Sequence, residues 1–144
     1  MQIYKRPESV LVLVHAEQQV LLLRRRLPPV GIWQSVTGSL EWDELPAAAA
    51  VRELAEETGL QNCVVEDCGM NAWFEIVPES RHRYPPGTTQ NLEHVFRVEL
   101  PAVQAIQLDP TEHDASQWVS AAEAAKLTWA WTNRQAIQRL LLEL

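Results

Sequence analysis

Two short continuous runs of hydrophobic residues stand near the start of the chain. They cover residues 9–16 and 20–23 and are separated by a short polar turn. Runs of this length are typical of strands buried on both faces, and the short connection predicts that the two strands pair as a hairpin. After a proline-containing loop, residues 32–37 predict a third short strand that ends at Gly38.

The clearest helix is predicted for residues 45–58. Pro46 suits the first turn of a helix, where a missing N–H is tolerated, and the four alanines that follow are strong helix formers. Gly59 is well placed to end the helix in a left-handed conformation. An apolar stripe along this helix is formed by Val51, Leu54 and Ala55.

The middle of the chain predicts strands at residues 64–65, 72–77 and 91–100, with a long loop at residues 78–89. In the strand at 91–100 the side chains alternate. One predicted face consists of Leu92, His94, Phe96, Val98 and Leu100. The other, wetter face consists of Glu93, Val95, Arg97 and Glu99.

The C-terminal third predicts a strand around Trp118 and Val119, a short helix at residues 121–127 and a last helix from Thr132. Thr132 and Gln135 have capping-box spacing. Helical spacing continues through Ile137, Leu140, Leu141 and Leu144. The elements together predict one α/β domain over residues 1–144, with a mixed sheet between helices.

The composition excludes some classes of function. A net charge of −7 argues against a nucleic-acid-binding protein, which would carry a basic stripe. No apolar run approaches the roughly 20 residues that span a bilayer, and the N-terminus lacks the pattern of a signal peptide. We therefore expect a cytoplasmic protein without a membrane partner. Cys63 and Cys68 are expected to be reduced, partly buried thiols.

Three glutamates of the predicted helix suggest chemistry. Glu53, Glu56 and Glu57 lie at i, i+3 and i+4 and therefore share a helix face. Like charges at this spacing are unfavourable unless a cation lies among them, and hard divalent ions prefer oxygen ligands. Arg52 can pair with Glu56 or with Glu44 and hold the carboxylates in place. The alternative is a solvated acidic helix face.

The wider sequence favours the metal site. Residues 38–60 match G-x5-E-x7-R-E-U-x-E-E-x-G-U at every specified position, where U is apolar. This segment resembles the Nudix box. The resemblance implies an α/β/α sandwich with a mixed central sheet, hydrolysis of a diphosphate linkage, and Mg²⁺ as cofactor, with Mn²⁺ as the alternative. Thr37 and Asp43 stand where many members have glycine.

The resemblance also implies roles for individual residues. Glu53 and Glu57 correspond to the principal metal ligands, with Glu56 close by, and Arg52 corresponds to a supporting ion-pair partner. Glu112 lies in a polar loop where the family places a further acidic ligand or a general base. Its alternative is a surface carboxylate. The expected catalytic residues are Arg52, Glu53, Glu56, Glu57 and Glu112.

The regions flanking the box narrow the resemblance. Residues 4–7, 33–39, 81–88 and 131–137 are similar to the bacterial dihydroneopterin triphosphate pyrophosphatases. This similarity implies cleavage of the pterin triphosphate to a monophosphate and pyrophosphate, a step of folate synthesis. The rival substrates are nucleoside triphosphates and dinucleoside polyphosphates. A rival of another class is an inactive Nudix-fold module that binds a nucleotide or a protein, against which the intact box argues.

Cations and aromatic residues outside the box suit such a ligand. Lys5, Arg25 and Arg81 are expected to meet phosphates, while Phe74, Trp33 or Trp129 are candidates to stack on a flat ring. Core packing for the aromatic residues and a solvated loop for Arg81 are the alternatives. The expected substrate-binding residues are Lys5, Arg25, Thr37, Phe74, Glu75, Ile76, Val77, Arg81 and Ala130.

Overall fold

A mixed β-sheet forms the centre of the molecule, as the computed structural model, which describes residues 3–143, shows. Its strands are β1 (Glu8–Ala16), β2 (Gln19–Arg25), β3 (Trp33–Gln34), β4 (Val36–Ser39), β5 (Glu66–Glu75), β6 (Gln90–Glu99) and β7 (His113–Ser120). The main path runs β3-β2-β1-β6-β5, with β4 on β1 and β7 on β2. The β1–β6 pair is parallel and the other pairs are antiparallel, which confirms the predicted hairpin and mixed sheet.

Strand β1 pairs with two different strands along one edge. It bonds to β4 through residues 9–12 and to β2 only through residues 15–16. Because each partner uses a different part of β1, β2 and β4 diverge from each other beside it. The candidate site described below lies next to this divergence.

Helices cover both faces of the sheet. Helix α1 (Pro46–Thr58) packs with Val10 and Val12 of β1 on one face. Helices α2 (Ala121–Leu127) and α3 (Trp131–Ile137) pack with Leu11 and Leu13 on the other. Alternate residues of β1 therefore enter different cores, which is why its sequence is continuously apolar. The predicted α/β/α sandwich is confirmed.

The ends of α1 follow the sequence signals. Pro46 occupies the first turn, and Gly59 has a left-handed φ of 76°. The Gly59 N–H donates to the carbonyl of Ala55 at 2.9 Å and closes the last turn. Among the described residues, no helix is long and apolar enough to cross a membrane. Cys63 and Cys68 are free and partly buried, as predicted.

Several local predictions were wrong. Val64 and Val65 lie outside β5, which begins at Glu66. The segment predicted as one strand from Ile32 contains the two strands β3 and β4, which pair with β2 and β1 respectively. The predicted long loop contains a 3₁₀ helix at Pro78–Arg83. Each difference arises from tertiary pairing or a local turn that hydrophobic periodicity does not encode.

The start of the last helix also differs from the prediction. Its N-cap is Ala130, which has no side-chain cap, so the predicted capping box from Thr132 to Gln135 does not form. Thr132 is buried instead. A π-helical segment, Gln138–Leu142, continues the helix, and Leu144 lies outside the described residues. Glu93 was predicted on a wetter face of β6, yet only 4% of its surface is exposed.

Candidate active site

A cavity of about 620 Å³ brings charged and aromatic residues together. Five carboxylates line it, those of Glu53, Glu57, Glu75, Glu93 and Glu112. Four cationic side chains line it as well, those of Lys5, Arg25, Arg83 and Arg134. Its remaining walls include Thr37, Phe74, Ile76, Val77, Asn91, Trp129, Ala130 and Thr132. Mixed charges beside aromatic surface suit a ligand that carries phosphates on a flat ring.

Glu53 and Glu57 face the cavity from successive turns of α1. Glu57 is 2% exposed and Glu53 is 9% exposed. Burial raises the pKa of both carboxyl groups, and the hydrogen bond between them and their mutual repulsion raise the pKa of Glu57 further. The Thr37 backbone N–H donates to Glu57 and partly opposes this shift in pKa. Two acids held this close without a cation favour a shared proton.

Gly38 allows β4 to approach Glu53 closely. A Cβ atom at this position would lie 2.0 Å from Cδ and 2.2 Å from Oε1 of Glu53. Any side chain on residue 38 would therefore displace the Glu53 carboxylate. The glycine at the start of the box is required here for space.

Arg52 holds the acidic cluster in position. Its Nη2 donates to Glu44 Oε1 at 2.7 Å, and its Nε donates to Glu44 Oε2 at 2.9 Å. Its Nη1 donates to Glu53 at 2.8 Å and to Glu56 at 3.4 Å. The fork to Arg52 lowers the pKa of Glu44 to about 2. Arg52 thus contacts both of its predicted partners, Glu44 and Glu56, at the same time.

Glu56 lies apart from the other box carboxylates. Its side chain is 56% exposed, and it is not among the residues that line the cavity. The described residues contain no cluster of three or more Asp, Glu, His or Cys side chains arranged to coordinate a metal. The carboxylates are instead engaged with each other and with Arg52.

The residues that line the cavity nevertheless fit a divalent ion. Oε1 of Glu57 is buried and has no hydrogen-bond partner among the described groups. Such an orphaned carboxylate oxygen is costly unless a cation or donor meets it. Glu53 and Glu112 supply further oxygen ligands in the same cavity, and oxygen is the donor that Mg²⁺ and Mn²⁺ prefer.

Glu112 and His113 join the site from the start of β7. The Glu112 backbone is fixed by a hydrogen bond from the Arg26 N–H to its carbonyl, at 2.8 Å. His113 is 2% exposed, and its Nε2 lies 3.8 Å from Glu57 Oε1. Burial, with a contribution from Arg25, lowers the pKa of His113 to about 4. The imidazole of His113 is therefore neutral and packs against the carboxylates. The sequence did not predict His113 as part of the site.

Lys5, Arg25 and Arg83 form one group of cationic residues. Burial, with contributions from the nearby charges of Arg83 and Arg25, lowers the pKa of Lys5 to about 8. The backbone N–H of Lys5 donates to the backbone carbonyl of Arg83 at 2.8 Å, which fixes the two segments together. Three mutually repelling cations at the cavity wall favour binding of an anion such as a polyphosphate.

Arg81 does not line the cavity, contrary to its predicted role. Its Nε donates to the Ile76 carbonyl at 2.9 Å, and its Nη2 donates to Glu75 at 3.0 Å. Arg81 thereby supports the segment that follows β5, while Arg83 takes the predicted place at the cavity. The sequence does not distinguish Arg81 from Arg83, and the 3₁₀ helix determines which of the two side chains reaches the cavity.

The aromatic wall agrees in part with the prediction. Phe74, Ile76, Val77 and Trp129 line the cavity. Trp33 does not line it, and the guanidinium carbon of Arg24 lies 5.8 Å from the centroid of the Trp33 ring. Asn91 and Glu93 of β6 also line the cavity and were not predicted.

The α/β/α sandwich with its acidic helix α1 is the arrangement expected of a hydrolase of diphosphate linkages, and comparison with known proteins gives the family. The chain belongs to the Nudix family, since the NUDIX domain model matches residues 5–140. It is 43% identical over 98% of its length to the dihydroneopterin triphosphate diphosphatase of Escherichia coli K12, covering 96% of that protein. It is 38% identical to the Haemophilus influenzae protein of the same name, over 98% of this chain and 91% of that one.

A solved structure is similar in the same way. The E. coli dihydroneopterin triphosphate pyrophosphohydrolase superposes with a TM-score of 0.90 at 43% identity, covering 98% of this chain and 99% of that chain. The resemblance inferred from the box and its flanks is thereby confirmed over nearly the whole length.

Proposed function

We propose that the protein is a divalent-metal-dependent pyrophosphohydrolase that cleaves dihydroneopterin triphosphate to dihydroneopterin monophosphate and pyrophosphate, as a step of folate synthesis. The observation that carries the proposal is the composition of the cavity. It joins the carboxylates of α1, a group of three cations and an aromatic wall within one volume of about 620 Å³. The relatives that match this chain over nearly their full length support the same substrate.

The cations and carboxylates divide the work of binding and catalysis. Lys5, Arg25 and Arg83 neutralise the triphosphate and orient it. Glu53 and Glu57 would hold Mg²⁺, with Mn²⁺ as the alternative ion. A bound divalent ion supplies charge neutralisation at the phosphates and lowers the pKa of coordinated water.

Glu112 is the residue best placed to accept a proton from the attacking water. It lines the cavity but lies just before β7, on a different element from the α1 carboxylates. It is therefore separate from the Glu53–Glu57 pair of α1, which supports a role for Glu112 as the general base. Arg52 contacts Glu53 and Glu44 and acts by positioning.

The substrate assignment is tested by comparing specificity constants. We expect kcat/KM for dihydroneopterin triphosphate to exceed that for each of the four dNTPs, all with Mg²⁺. Products are identified after reaction in ¹⁸O-labelled water, and EDTA is expected to abolish turnover. If kcat/KM for a dNTP is higher by about tenfold, equivalent to roughly 1.4 kcal/mol in the transition state, the assignment of the pterin substrate is wrong. The assignment of the protein as a hydrolase would still hold.

A further inference from the structure

Two buried hydrogen-bond acceptors on β6 have no partner. Oδ1 of Asn91 and Oε1 of Glu93 are both inaccessible and unpaired among the described groups. The two residues are 1% and 4% exposed, and both line the large cavity. Because they are two apart on one strand, their side chains lie on the same face. Buried polar atoms are normally paired, so two orphans side by side suggest an absent partner.

The rest of each side chain is fixed. Nδ2 of Asn91 donates to Ser9 Oγ at 2.8 Å, which commits the amide nitrogen and leaves the oxygen as the free group. The hydroxyl of Thr132 bonds to the Glu93 carboxyl. Both free atoms are consequently acceptors, and the missing partner must supply N–H or O–H donors.

The surroundings indicate which donors fit. Phe74 and Trp129 give the same cavity flat aromatic surface, while Ile76 and Ala130 give it apolar surface. A phosphate offers only acceptors and would meet repulsion from Glu93, so the phosphate end belongs beside the cations. A flat heterocycle with an N–H edge satisfies both the acceptors and the aromatic wall.

We infer that Asn91 and Glu93 bind the N–H edge of a 2-amino-4-oxopyrimidine ring, so that Glu93 determines the ring specificity of the site. The inference rests on the proposed function, because a pterin carries this ring, and guanine carries the same edge. A carboxylate accepts two adjacent N–H donors, as it does from a guanidinium. Burial raises the pKa of Glu93 to about 7, which agrees with a carboxyl group that lacks its partner.

A smaller cavity offers the competing explanation. Glu93 also borders a space of about 210 Å³ that Thr132 and Arg139 line. Buried water in that space could satisfy Glu93 without any ligand. The two explanations differ in whether Glu93 affects the choice between rings.

The test measures ring binding without phosphates or metal. Wild-type protein is titrated by fluorescence with 2-amino-4-oxopteridine and with 4-oxopteridine, which lacks only the amino group. We expect the amino compound to bind about tenfold or more tightly, because buried acceptors in the protein are left unpaired by an analogue that lacks the donor. This measurement requires no variant. Equal affinities, or no binding of either ring up to millimolar concentration, would overturn the inference.

Three variants then locate the source of the preference. Glu93→Gln keeps the shape and removes the charge, so the preference should fall to about threefold or less. Glu93→Leu removes both acceptor oxygens of residue 93 and should abolish the preference even if the Glu93→Gln variant is altered in stability. Glu99→Gln, which changes an exposed glutamate on the same strand, is the matched control and should keep the wild-type preference. A preference that persists in both Glu93 variants would assign Glu93 to buried water.

Hydrolysis of dihydroneopterin triphosphate by the wild-type protein is measured separately. Ring preference with no pterin triphosphate hydrolysis would refute the proposed substrate and retain the role of Glu93 in reading the shared ring edge. Hydrolysis without ring preference would refute the role of Glu93 and retain the substrate.

Discussion

Replacing Glu57 by glutamine should separate metal binding from folding. Burial and the neighbouring Glu53 raise the pKa of Glu57 well above its usual range. Between the ordinary value and this raised value, the folded state holds a proton that the unfolded chain has released. The stability of the metal-free protein therefore falls as pH rises through this window. Glu57→Gln lacks the titration, so the metal-free variant should be more stable than wild type near neutral pH.

Metal addition should reverse this order. An ion that binds only the folded state stabilises it by about 2.7 kcal/mol at one hundred times Kd. For a chain of 144 residues this corresponds to a rise in Tm on the order of 10 °C. Glu57→Gln should show little of that rise, and its kcat should fall by a factor of roughly 10², because losing one anionic ligand costs about 3 kcal/mol in the transition state.

The assay is thermal unfolding at several pH values, with EDTA or with Mg²⁺, together with initial rates. Glu99→Gln serves as the control, since Glu99 is exposed and lies outside the cavity. The assignment of Glu57 as a metal ligand is refuted if Glu57→Gln leaves the Mg²⁺-induced Tm rise intact. The predicted pH linkage is refuted if the metal-free variant is less stable than wild type at neutral pH.

Three further predictions concern the remaining residues of the site. Glu112→Gln should lower kcat by about 10²–10⁴-fold with little change in KM, and an unchanged kcat would make Glu112 a surface acid. Arg83→Met should raise KM for the triphosphate by roughly 10–100-fold, the equivalent of about 1.5–3 kcal/mol, whereas Arg81→Met should change it little; the opposite ranking would contradict the structure. Gly38→Ala should remove the Mg²⁺-induced Tm rise, because the new methyl group displaces the Glu53 carboxylate, and a retained rise would show that the carboxylate can move aside.

The acidic cluster on α1 was predictable because its information is local. The spacing of Glu53, Glu57 and Arg52 along one helix fixes their relative positions from the 3.6-residue period alone. The helix itself was delimited by Pro46 and Gly59, whose backbone preferences do not depend on the rest of the fold. The sandwich was predictable as well, because β1 is apolar on both faces and needs a layer of helices on each.

Residues whose roles depend on tertiary placement were missed. Arg81 and Arg83 are equivalent on paper, and only the 3₁₀ helix sends one to the carbonyl of Ile76 and the other to the cavity. His113 became part of the site because β7 pairs with β2 opposite Arg25, a long-range register that no local pattern encodes.

Glu93 shows most clearly why the ring end could not be read from the sequence. The predicted strand face that carries Glu93, Val95, Arg97 and Glu99 is mostly charged, which is the ordinary pattern of a solvated face. The face is buried because α3 packs over it and Thr132, the expected helix cap, turns inward to the Glu93 carboxyl. The two wrong predictions, a wet Glu93 and a capping Thr132, therefore have a single cause. The hydrogen bond between Thr132 of α3 and Glu93 of β6 places the Glu93 carboxyl in the interior and directs the Thr132 side chain away from the helix end. It leaves Oε1 of Glu93 without a partner, and this is the oxygen to which we assign ring recognition.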